Sequence, residues 1–163
     1  MSRLREVGAG GTVGDMLQDV RFAIVASETN AEVTDALVAG ALATFEQRGI
    51  APDAVRIVRV AGAFELPMTA AKMIRHHIVD GVVCIGAIVR GETPHFEYLA
   101  MAVADGIQSV AIDSGVPVTF GVLTCDTIEQ ARARSGGPKG NKGSEAALAA
   151  IELAGVYSDL MRE

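Results

Sequence analysis

The run Gly81–Val89 (GVVCIGAIV) carries no charged, amide or hydroxyl side chain. It is far too short to span a membrane, and it lacks the alternation of a strand with one wet face. A run of this kind predicts a strand covered on both faces, which requires helices above and below it. Arg21–Ala26 (RFAIVA) and Val116–Cys125 (VPVTFGVLTC) have the same character, and Val55–Val60 (VRIVRV) predicts a further strand with its arginines alternating outward. Between the strands the apolar spacing turns helical. Val33, Leu37, Ala41 and Phe45 repeat up to Gly49, and a second helix is expected from about Glu65 to His77. Pro67 fits its first turn, where a missing N–H costs little. The loop Arg90–Pro94 leads into a helix through Tyr98 and Val103. Two more helices, about Ile128–Arg134 and Ser144–Met161, flank the glycine-rich segment SGGPKGNKG at Ser135–Gly143. Strand and helix thus alternate four times, with connections long enough for parallel crossovers. The pattern predicts an α/β fold: a three-layer α/β/α sandwich around a parallel sheet.

At 163 residues the chain has the length of one domain. Residues 21–163 are expected to form it, with 1–20, rich in glycine and without clear periodicity, as a loose arm. The chain is 50% hydrophobic and 21% charged, which argues against disorder. Twenty acidic against 14 basic side chains leave a net charge of −6, unsuited to nucleic acid. No apolar run reaches membrane-spanning length, and Met1–Val20 lacks the apolar core of a signal peptide, so a cytoplasmic location is expected. Cys84 and Cys125 each lie inside an apolar segment, which supports neither a disulfide nor a zinc site. Aromatic residues are scarce, so any stacking platform has to be small.

Open parallel sheets bind ligands beyond the carboxyl ends of their strands. The residues found there are Ser27–Asn30, Gly62–Glu65, Arg90–His95 and Thr124–Thr127. Gly91 would let backbone N–H groups approach a ligand, and Thr93 stands where the N-cap of the next helix belongs. That helix opening would be an anion site. His95 falls in the first turn beside it, and histidine is the residue type best matched to proton transfer near neutrality. A solvated or core-satisfied histidine is the competing reading, and His76 and His77 are read that way, as cations ending a helix. Arg132, Arg134, Lys139 and Lys142 cluster in and beside the glycine-rich segment. The order Gly-Asn-Lys-Gly-Ser is no P-loop. A flexible surface loop and phosphate capture by Arg134 with Lys142 are both open readings. Glu145 could cap the last helix or orient Lys142. Glu65 could compensate a helix dipole or accept hydrogen bonds from a polyhydroxylated ligand.

GAFELP at Gly62–Pro67, GAIVRGETPHFEY at Gly86–Tyr98, FGVLT at Phe120–Thr124 and IEQARARSGGPKGNKGSEAA at Ile128–Ala147 together resemble the lumazine synthase family. The resemblance runs from about Arg21 to the carboxyl terminus. It implies a flavodoxin-like fold with a central four-stranded parallel sheet, and an N-terminal arm that adds to a neighbouring subunit. It implies condensation of 5-amino-6-(D-ribitylamino)uracil with 3,4-dihydroxy-2-butanone 4-phosphate to 6,7-dimethyl-8-ribityllumazine, with no cofactor and no metal. By position, His95 matches the general acid/base, and Arg134 the phosphate-binding arginine. Gly91, Glu92 and Thr93 match the phosphate loop. Thr29, Asn30, Ala63, Phe64 and Glu65 match the uracil and ribityl subsite. Ile88 and Val89 line the same pocket, Phe120 comes from the neighbouring subunit, and Lys142 with Glu145 completes the basic end. The partners implied are the small-molecule substrates, other copies of the chain in pentamers and, on the compact GGPKGNKG turn, a sixty-subunit shell, together with riboflavin synthase.

The chain departs from that family pattern twice. Thr29 stands where an aromatic residue usually stacks on the uracil ring, a loss of roughly 1–3 kcal/mol by analogy with aromatic–base stacking. Ala61 stands where Pro usually precedes Gly-Ala. Thr29 motivates an alternative, a non-catalytic paralogue that binds flavin or lumazine. A bare phosphosugar-binding module is a third reading, which would leave the His95 segment unexplained.

Overall fold

The computed structural model describes residues 21–162. Four parallel strands, β1 (Phe22–Ser27), β2 (Val55–Val60), β3 (Gly81–Val89) and β4 (Val118–Cys125), form one sheet in the order β2-β1-β3-β4. Five helices accompany them: α1 (Ala31–Gln47), α2 (Leu66–His76), α3 (His95–Ser114), α4 (Ile128–Ala133) and α5 (Lys142–Leu160). The three-layer reading of the sequence holds. The central pair β1 and β3 is buried almost throughout, as an apolar run inside a doubly covered sheet must be.

Alternation along these strands divides the core. Phe22, Ile24, Ala26, Val83, Ile85 and Ala87 pack against α1, α4 and α5. Ala23, Val25, Val82, Cys84 and Ile88 point the other way, against α2 and α3. Each large apolar side chain so buried stabilises the fold by about 1.5–3 kcal/mol.

Strand β2 is at the sheet edge, and both of its arginines are exposed as expected, though not on one face. Arg56 and Arg59 are an odd number of residues apart, so they face opposite sides of the pleat. Arg56 donates to His77 Nδ1 at 3.4 Å, and Arg59 pairs with Asp35 of α1 at 2.8 Å. Helix α3 begins at His95 with Pro94 as its cap, so Thr93 is not the N-cap. The glycine-rich segment is not a loose loop: Ser135–Gly137 (β5) and Gly140–Asn141 (β6) pair as a small antiparallel hairpin. No helix among the described residues is long and apolar enough to cross a membrane. The expected arm at residues 1–20 lies outside the described residues.

Candidate active site

The carboxyl ends of β1, β2 and β3 open into a cleft of about 740 Å³. Its wall is built from Thr29 and Asn30 after β1, Ala61–Glu65 after β2, and Ala87–Val89 with Gly91 and Thr93 at the end of β3. The first two turns of α3 close it with His95, Phe96 and Leu99. Ten of the residues singled out from sequence therefore meet in one place: Thr29, Asn30, Ala63, Phe64, Glu65, Ile88, Val89, Gly91, Thr93 and His95.

Local bonding explains how the chain presents them. Asn30 adopts a left-handed conformation (φ 57°, ψ 51°), which asparagine tolerates better than most residues, and its Nδ2 donates to Ala87 O at 2.9 Å. The Thr29 hydroxyl donates to Ala61 O at 2.9 Å. The Gly62 N–H donates to Glu65 Oε2 at 3.0 Å, so one carboxylate oxygen caps its own turn and the other can face a ligand. Both readings of Glu65 are therefore compatible in one side chain. Phe64 is 55% exposed on the cleft wall. His95 is exposed at the first position of α3, beside the unbonded N–H groups of that helix start.

Five expected residues do not line this cleft. Glu92 is exposed on the loop between Gly91 and Thr93. Arg134 caps the carboxyl end of α4, near the end of β4: its charge pulls the Cys125 thiol pKa down, against the larger upward push of burial. Lys142 pairs with Glu145 at 3.3 Å at the start of α5, and its N–H donates to Arg134 O at 2.9 Å. Phe120 is the third residue of β4, in register with Cys84, and packs on the α2/α3 side, away from the carboxyl ends of the strands.

The hairpin between Arg134 and Lys142 has a plain structural purpose. Asn141 Oδ1 accepts from Ser144 N–H at 3.1 Å and caps α5, while its Nδ2 donates to Ala36 O in α1 at 3.0 Å. A Cβ on Gly143 would lie 2.0 Å from Leu37 O, so only glycine permits this approach of α5 to α1. Asn141 and Gly143 of the GNKG segment therefore serve helix packing.

One residue of the segment past β3 has no role assigned from sequence. Arg90, just past β3, donates from Nε to Asp126 Oδ1 at 2.7 Å and from Nη1 to Glu97, with its guanidinium 4.4 Å from the centre of the Phe96 ring. The Asp126 and Glu97 hydrogen bonds raise its pKa, and Arg90 in turn holds the Glu97 carboxyl below the usual carboxylate range. Its place directly after a central strand was the available signal.

The cleft can thus offer a proton carrier, backbone donors, a carboxylate and apolar walls to a flat polar molecule. Among the described residues, no three His, Cys, Asp or Glu side chains gather as a metal site requires. The family model for 6,7-dimethyl-8-ribityllumazine synthase matches residues 19–158. The chain is also similar to a protein of Frankia casuarinae named 6,7-dimethyl-8-ribityllumazine synthase, with 48% identity over 156 residues covering 94% of this chain and 96% of that one.

Proposed function

The chain belongs to the 6,7-dimethyl-8-ribityllumazine synthase family, and from that premise we propose how its cleft works. The protein is a transferase of riboflavin biosynthesis. It condenses 5-amino-6-(D-ribitylamino)uracil with 3,4-dihydroxy-2-butanone 4-phosphate, releasing phosphate and water. The observation that carries the assignment of the cleft is the convergence of Thr29–Asn30, Ala63–Glu65, Ile88–Val89 and His95 on one opening at the strand ends.

In this reading the uracil and ribityl chain occupy the part of the cleft between Asn30, Ala63–Glu65 and Ile88–Val89. The phosphate lies against the Gly91–Thr93 loop and the start of α3, with Arg134 supplying fixed positive charge. The uracil's amine attacks the butanone carbonyl, an imine forms with loss of water, phosphate departs, and ring closure expels a second water. Each step moves a proton, and His95 carries it. Holding two substrates in register supplies much of the acceleration. Nothing in the matched family favours the non-catalytic alternative.

Residues 21–163 are taken as one catalytic unit, working in pentamers that build a sixty-subunit shell in the cytoplasm. Two observations support self-association. Phe120 is only partly buried on edge strand β4 and stands apart from its own chain's cleft, as a residue serving a neighbour's cleft would. Met68, Tyr98, Met101 and Ile112 on α2 and α3 are exposed apolar side chains in want of a cover. Association with riboflavin synthase belongs to the same reading. Sedimentation should give the mass of sixty chains; the mass of five or ten would remove the shell. Purified protein given both substrates should form lumazine faster than the spontaneous reaction, and a rate equal to that background would overturn the assignment.

A further inference from the structure

The four residues Gly91–Pro94 and His95 are all exposed, and among the described residues no hydrogen bond or ion pair holds a side chain of this segment. Yet the reaction places two tasks on it, a phosphate cradle and a proton carrier, and both depend on position to within about an ångström. Something outside the loop has to fix it.

Arg90 is the residue placed to do so. Its N–H donates to Cys125 O at 2.9 Å, extending the β3–β4 ladder one residue past the strand. On one side its guanidinium grips the first turn of α3 through Glu97 and the Phe96 ring, the two residues that follow His95. On the other side it binds Asp126. Asp126 is itself tied to α4: its N–H donates to Gln130 Oε1 at 2.8 Å, and Thr127 Oγ1 accepts from Gln130 N–H at 3.2 Å to cap that helix. Helix α4 ends at Arg134. A single side chain thus links the turn that bears His95 to the helix that bears Arg134. It also offsets part of the negative charge of two carboxylates that would otherwise repel a phosphate on the intervening loop more strongly.

We propose that Arg90 is a positioning residue that fixes the Gly91–His95 segment, through a bridge from Glu97 and Phe96 to Asp126. The proposal rests on the lumazine-forming reading of the cleft. A lysine at this position keeps the charge but loses the planar fork that reaches both carboxylates.

The test compares wild type with Arg90→Lys and, as a variant that leaves β3 untouched, Asp126→Asn. For both variants kcat should fall, about tenfold for Arg90→Lys, and KM for the butanone phosphate should rise several-fold. KM for the uracil substrate should stay within about twofold, because its subsite is held by Thr29, Asn30 and Glu65 instead. Inorganic phosphate, titrated against each protein without turnover, should bind several-fold more weakly to the variants. Unchanged kcat and unchanged phosphate affinity in both variants would overturn the proposal. So would an equal rise of both KM values with a lowered Tm, which marks a general structural role. A wild-type protein that forms no lumazine would sink the functional reading, while the phosphate titration would still test the bridge by itself.

Discussion

The Thr29 hydroxyl and the Thr29 N–H share one acceptor, the carbonyl oxygen of Ala61, at 2.9 and 3.2 Å. With Glu28 N–H on Val60 O at 2.8 Å, they carry the β1–β2 ladder past the ends of the strands and into the cleft wall. Thr29 and Ala61, the two positions set apart by the family resemblance, are therefore bonded to each other. A small hydroxyl side chain closes the strand ends where the family resemblance leads one to expect a ring.

Thr29 is exposed, so a larger side chain has room above the cleft. Thr29→Phe should restore a stack worth about 1–3 kcal/mol, tightening uracil-substrate binding by roughly 5- to 150-fold. Losing the side-chain hydrogen bond should cost about 1 kcal/mol of stability. Calorimetric titration and a denaturant curve measure the two effects separately; weaker binding by the variant would show that Thr29 is itself the ligand contact.

Gly143 should tolerate no side chain. With Leu37 O only 2.0 Å from a would-be Cβ, Gly143→Ala must push α5 away from α1, at a cost of about 1–3 kcal/mol. Urea denaturation should show the loss. A neutral result would mean that the α1–α5 contact relaxes freely.

The bridge at Arg90 gives stability an acid limb. The folded-state pKa of Glu97 is depressed by Arg90, so the contribution is complete above the unfolded value of about 4.3 and disappears as pH falls through the folded value. Denaturation midpoints measured from pH 7 down to about pH 3 should fall less steeply for Glu97→Gln than for wild type. Parallel curves would contradict this.

Cys84 is fully buried at the sheet centre, and burial pushes its thiol up to about 12. A thiol-specific reagent near pH 8 should leave it unmodified in the native protein and label it on unfolding. Rapid native labelling of Cys84 would indicate frequent opening of the sheet.

The fold was legible because Gly81–Val89 and its neighbours allow few alternatives to a doubly covered parallel sheet. The ladder then placed the residues after each strand at one edge, and Asn30, Glu65 and His95 followed. What composition and spacing could not reveal were contacts between distant segments. Arg56 and Arg59 look alike in sequence, yet their spacing turns them to opposite faces and different partners. The hairpin at Ser135–Asn141 reads as a basic loop until Asn141 and Gly143 are seen against α1. Arg90 stands within GAIVRGETPHFEY, but its importance comes from Asp126, which is 36 residues away in sequence. Phe120, Arg134, Lys142 and Glu145 do not line this chain's own cleft, and their expected roles belong to an assembly of several copies.

The central claim is that this cleft, with His95 as proton carrier, couples lumazine formation to phosphate release. Both products should be followed together in one reaction containing the two substrates, for wild type and His95→Ala. The account predicts one phosphate per lumazine, a wild-type rate well above the protein-free mixture, and a rate for His95→Ala lower by about 10²- to 10⁴-fold or down to background. Wild-type formation of lumazine at the protein-free rate, or a His95→Ala variant as fast as wild type, would contradict it.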